Sequence, residues 1–117
     1  MRNFIQPGST VTLPAPYVRT AGQAALIGAL LCVALSDVAN GAEGEWRTEG
    51  VFDLTKVGSQ AWATVGAVVY WDNTNKRLTT VATGNTLVGA IMKTVGNGAG
   101  ETTGRVRLNG AARPAEA

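Results

Sequence analysis

Residues 66–92 constrain the fold of this chain more than any other stretch, because they read as three strands joined by two turns. Ala67, Val68, Val69, Tyr70 and Trp71 form a short run of β-branched and aromatic side chains, the composition that a pleated, largely buried strand prefers. Asp72, Asn73, Thr74 and Asn75 interrupt it. Asp and Asn side chains bond to nearby backbone groups and tolerate left-handed conformations, so this quartet between two strand-like runs predicts a tight turn. Residues 76–81 carry the chain back. Thr83, Gly84, Asn85 and Thr86 then turn it into Leu87, Val88, Gly89, Ala90, Ile91 and Met92, apolar enough to lie between two layers. The expectation is a β-meander. Glycine and Asn/Asp turns recur roughly every 8 to 12 residues along most of the chain, which predicts an all-β fold of about eight or nine short strands, a small β-barrel or β-sandwich.

The flanking segments extend this reading. Residues 1–16 hold little material for a core of their own. Gln6, Pro7, Gly8 and Ser9 place Pro and Gly where a type II turn wants them. Residues 10–13 alternate polar and apolar like an edge strand, until Pro14 and Pro16, which have no N–H for a ladder, end it. Two readings stay open here: an extended N-terminal arm over residues 1–16, or a first strand tucked against its own barrel with a frayed end. Residues 21–35 carry one polar side chain, Gln23. A membrane span needs about 20 apolar residues and a secretory signal carries its charge in the first few positions, so neither fits. Gly22 and Gly28 divide the run into two strand-length pieces, residues 23–27 and 29–35, and the Ala and Leu content of the second also suits a buried helix.

Residues 36–44 form a polar loop with Asn40 and Gly41 at its tip. Beyond it, Glu45, Arg47 and Glu49 should face outward while Trp46 and Thr48 point in, and Gly50 marks a bulge or bend before residues 51–54. Residues 55–65 keep neither a strand nor a helix period and predict one helical turn or an ordered loop anchored by Trp62. Residues 96–100 are too glycine-rich to hold a shape unaided. Arg105 and Arg107 alternate with Val106 and Leu108 as a last strand with one wet face, and residues 111–117 read as a flexible tail. Residues 17–110 are then one β domain.

Chemistry is hard to place on this chain. There is no histidine, which removes the commonest general base and every histidine-dependent triad or zinc site. The single cysteine, Cys32, excludes thiolate clusters and an internal disulfide, suits a reducing compartment and reads as a buried thiol. No lysine follows a glycine loop as a phosphate loop requires. Residues 72–83 fail as a calcium loop, with Arg77 where glycine belongs and Thr83 where glutamate belongs. Glu43, Glu45, Glu49 and Asp53 are spaced as a solvated strand face and not as an acid pair. The aromatics Trp46, Trp62, Trp71, Tyr70 and Phe52 read as core or subunit contacts. Charged residues make up 15% of the chain, against roughly 25% in typical soluble proteins, which suggests a surface partly covered by partners. A net charge of +2 without a basic run disfavours nucleic acid.

Taken in order, Asn3, Phe4, Ile5, Gln6, Pro7 and Gly8, then Glu49, Gly50, Val51, Phe52, Asp53 and Leu54, then Val69, Tyr70, Trp71 and Asp72, Lys76, Leu78, Thr79 and Thr80, Thr83, Gly84 and Asn85, Val88 and Gly89, and finally Arg105, Val106, Arg107 and Leu108 resemble the small tailed-phage capsid cement (decoration) proteins. In that family residues 21–35 would be a pair of strands. The resemblance implies a structural protein without enzymatic activity, cofactor or metal. It would be made in the host cytoplasm and bind the outer surface of the capsid. There it would clamp neighbouring copies of the major capsid protein, as a homotrimer, without touching nucleic acid or membrane. Phe4, Ile5, Val11 and Leu13 of the arm, with Arg105 and Arg107, are the expected capsid or subunit contacts. A carbohydrate-binding or host-surface-binding β-sandwich is the competing expectation.

Overall fold

Turn residues become strand ends. The computed structural model describes residues 8–116, among which there are nine strands and no helix. β1 (Thr10–Pro14), β2 (Ala24–Ile27), β3 (Leu30–Ala34) and β4 (Glu43–Arg47) form one antiparallel sheet in the order β1-β4-β3-β2. β5 (Glu49–Thr55), β6 (Val68–Asp72), β7 (Arg77–Thr79), β8 (Thr86–Ile91) and β9 (Thr103–Asn109) form the second, in the order β5-β9-β8-β6-β7. The chain passes from one sheet to the other at Thr48, which is buried and whose hydroxyl donates to the Gly8 carbonyl.

The Asp72 turn forms as its residues dictate. Asp72 Oδ1 accepts the N–H groups of Thr74 at 3.0 Å and Asn75 at 3.3 Å, and Oδ2 accepts the Asn75 amide at 2.8 Å. Lys76 closes the turn at φ +57°. The expected meander does not form. β8 pairs with β6 and not with β7, so β6 lies between them. Three residues of β7 cannot offer the six residues of β8 an adequate ladder, whereas β6 offers five. Between Val69↔Gly89 and Tyr70↔Leu87 the register shifts, which leaves Val88 as the extra residue of a bulge. On its other side β8 lies very close to β9: a Cβ on Gly89 would sit 2.0 Å from the Arg107 carbonyl oxygen, so only glycine fits.

The apolar run of residues 21–35 is a hairpin, not a helix, because Gly28 at φ +64° allows the tight reversal. Both of its faces are covered, which explains the lack of alternation. Ala24, Leu31 and Val33 face the main core, built with Leu54, Trp62, Val69, Trp71, Leu78, Val88, Ile91, Val106 and Leu108 of the second sheet and its loops. Ala25, Cys32 and Ala34 face a smaller cluster with Ala15, Val38 and Trp46, against which Val11, Leu13, Tyr17, Ile27 and Leu30 pack. All three tryptophans are buried with their indole N–H satisfied: Trp46 on the Leu13 carbonyl (2.9 Å), Trp62 on Gln60 Oε1 (3.1 Å) and Trp71 on Asn73 Oδ1 (3.2 Å). Of residues 55–65, Thr55 ends β5 and the rest form an ordered loop. The Trp62 and Val95 backbones bond reciprocally at 2.8 and 2.9 Å, and the Trp62 ring lies on Gly104, where a Cβ would come within 2.3 Å of it.

At the N-terminal side the second of the two open readings holds, and at the C-terminal side the chain differs from the tail expected. Thr10–Pro14 is the β1 strand of the chain's own sheet, in register from Thr10↔Arg47 to Pro14↔Glu43, because Val11 and Leu13 gain a core face beside Trp46. This is the tucked first strand; residues 1–7 lie outside the described residues. Beyond β9, residues 111–116 are tied to the domain. The Arg113 N–H donates to the Ala29 carbonyl at 3.0 Å, and Glu116 bonds Gly84 at 2.9 Å and Asn85 at 2.7 Å. Turn backbones left open by the neighbouring loops supply those partners.

Candidate functional site

β9 exposes every second residue, so Arg105 and Arg107 share the outward face of the second sheet while Val106 and Leu108 enter the core. Their neighbours separate the two arginines. Register places Asp53 opposite Arg105, and the guanidinium forks onto it, Nε to Oδ1 at 2.9 Å and Nη2 to Oδ2 at 3.2 Å. That hydrogen bonding, with the charges of Arg105 and Lys93, holds the Asp53 carboxyl below its ordinary range and raises Arg105 in turn. An exposed pair of this kind adds little stability; its effect is to fix the Arg105 side chain. Beside it lies an open concavity of about 310 Å³ whose charged lining, Asp53, Glu101, Lys93 and Arg105, cancels in sign.

Arg107 forms no salt bridge among the described residues. It stands in a row that crosses four strands, Val51↔Arg107↔Ala90↔Val68. Val51 is 54% and Val68 50% exposed, so a guanidinium free to bond sits in a partly apolar strip. Such a strip leaves apolar area and one cation open to solvent side by side. Val11 and Leu13 lie on the other sheet, half-buried against Trp46. The four of the six expected contact residues that are described therefore lie on two different sheets. Phe4 and Ile5 lie outside the described residues.

A profile of the phage cement proteins matches residues 5–108. The chain belongs to the phage cement protein family. Comparison with curated proteins and with solved structures returns no significant match.

Two features of this cement-family chain have no sequence signal. Lys56 is buried, its Nζ donating to the carbonyls of Val57 (2.7 Å) and Glu101 (3.3 Å) and lying 5.6 Å from the centre of the Trp62 ring. Burial lowers its pKa while the Glu101 charge works the other way. Sequence spacing could not find it, because one of its two acceptors, the Glu101 carbonyl, comes from a loop 45 residues away. The second feature joins the two sheets. Tyr17 donates to Asn73 Oδ1 at 3.1 Å and accepts the Leu26 N–H at 3.1 Å, with Lys76 and Arg19 over its ring at 4.4 and 5.0 Å. Among the described residues no group of three or more Cys, Asp or Glu is placed to hold a metal.

Proposed function

We propose that this protein is a structural component of a phage virion, made in the host cytoplasm, that binds the outer surface of the expanded head and clamps neighbouring copies of the major capsid protein. It performs no catalysis in that role. Membership of the cement family over residues 5–108 is the observation that carries this reading. The sparse charge of the chain and the Val51–Arg107–Val68 strip support it, since a lone domain of 12.1 kDa has little reason to leave such a strip wet. Homotrimers on the shell fit the same economy, because three weak contacts engaged together reach an avidity that no single contact has. Residues 1–7, with Phe4 and Ile5, and the cation of Arg107 are the parts offered to the capsid in this reading. Purified protein added to expanded shells should sediment with them. Protein that stays in the supernatant with shells, yet binds a glycan array, would replace the capsid reading with the carbohydrate-binding one.

A further inference from the structure

Strand edges expose unpaired main-chain groups, and this fold guards its edges unequally. In the second sheet the outer strands β5 and β7 meet at their ends, through the Lys56↔Leu78 bridge and a 2.9 Å bond from Val57 N–H to the Leu78 carbonyl. In the first sheet the outer edge of β2 is plugged by side chains: Arg19 donates to the Ala24 carbonyl at 3.2 Å and Tyr17 takes the Leu26 N–H. Among the described residues β1 has no such cover. The Thr48 N–H bonds the Ser9 carbonyl and the Ala15 N–H bonds the Ala42 carbonyl, both at 2.9 Å. Antiparallel pairs alternate between bonded and non-bonded, so Val11 and Leu13 complete the ladder to β4. The N–H and C=O groups of Thr10 and Thr12 then point away from it. No described residue bonds them.

We propose that this outer edge of β1 is a strand-addition site that takes an extended main-chain segment of the capsid subunit. The proposal rests on the capsid reading above. Two N–H and two C=O groups over three residues supply the main-chain affinity, and Pro14, which has no N–H, ends the edge. Side-chain chemistry states what the segment should be. On one face Val11 and Leu13 border the Trp46 cluster, so an added strand lays an apolar residue beside them. On the other face Thr12 and Pro14 are exposed opposite Glu45 and Glu43, where a basic or hydroxyl-bearing residue fits.

Thr12→Pro tests this directly. It deletes one outward N–H and no main-chain bond to β4, only the hydroxyl bond to Glu45 that the control variant also loses, and proline is tolerated on an edge whose N–H faces solvent. Thr12→Val is the control, since it loses only the hydroxyl bond to Glu45 Oε1 at 2.8 Å. Thr12→Pro should lower shell affinity about tenfold or more and Thr12→Val much less, both keeping a near-native melting temperature. If Thr12→Pro fails to fold, Thr10→Pro removes the other outward N–H and is read in its place. Folded proline variants that bind shells like the wild type would overturn the edge site while leaving the capsid reading intact. Wild-type protein that ignores shells would overturn both. Free protein that dimerises, and stops doing so in Thr12→Pro, would assign the edge to a second copy of this chain and overturn the capsid segment as occupant.

Discussion

Cys32 shows how a single side chain is set by its surroundings. Its thiol, fully enclosed between the β2–β3 hairpin and Trp46, is pushed by burial from an ordinary value of 9.0 up to about 12. In the range between those values the unfolded chain loses the thiol proton while the folded chain keeps it. Folding stability is therefore fully present below pH 9.0 and falls as pH rises towards about 12, by about 1.4 kcal/mol per pH unit at most. Lys56 has the opposite sign, because its folded pKa is depressed below 10.5 and the unfolded chain takes up the extra proton. Comparing urea unfolding of wild type and Cys32→Ala cancels that second contribution. The alanine variant should cost about 1 kcal/mol or less at pH 7.5 and lose stability more slowly than wild type between pH 9 and 10.5. Equal slopes would show that Cys32 ionises as an exposed thiol does.

At the scale of elements, the contact between β8 and β9 decides how the second sheet is built. The bulge at Val88 lets Leu87 and Ala90 both face outward while Val88, Gly89 and Ile91 stay inside, and Gly89 brings the two backbones together. Gly89→Ala must separate strands that β5 and β6 hold from the other side. The expected loss is about 2 to 3 kcal/mol, at the severe end of overpacking, because the obstacle is a carbonyl oxygen and not a movable side chain. Thermal or urea unfolding measures it. A variant as stable as wild type would mean that the sheet relaxes at no cost. The Asp72 turn and the Tyr17 contact act at the same scale: the first closes β6 onto β7, the second ties that turn to the other sheet.

For the whole molecule, the two sheets divide the work. The second holds the main core and the outward Arg107 strip, and the first adds the smaller Trp46 cluster and the open β1 edge. Residues 1–6 precede all of these. With β1 held by its own ladder to β4, deleting residues 1–6 should leave the melting temperature within a few degrees of wild type while sharply reducing retention on expanded shells. Burying Phe4 and Ile5 against a capsid subunit would be worth roughly 1.5 to 3 kcal/mol each, repeated in every copy bound. A truncated protein that unfolds would assign those residues to the chain's own core; one that binds shells unchanged would remove them from the contact.

Sequence alone determined what is local. The Asp72–Asn75 quartet dictates its turn through its own side chains, Gly28 permits the hairpin that divides an apolar run, and the alternation around Val106 and Leu108 assigns the two faces of β9. Order along the chain also sufficed for the family. What depended on tertiary structure is non-local. β8 joins β6 instead of β7 because ladder length and burial compete across strands. Thr10–Pro14 stays with its own domain because Trp46, far along the chain, offers it a core. Arg105 and Arg107 look alike in sequence, yet Asp53 stands opposite only the first, and that pairing is set by the β5–β9 register. Lys56 is buried because the Glu101 carbonyl of a distant loop joins that of Val57 in replacing its water. In each case the deciding partner lies tens of residues away, and folding alone brings it within hydrogen-bonding or packing distance.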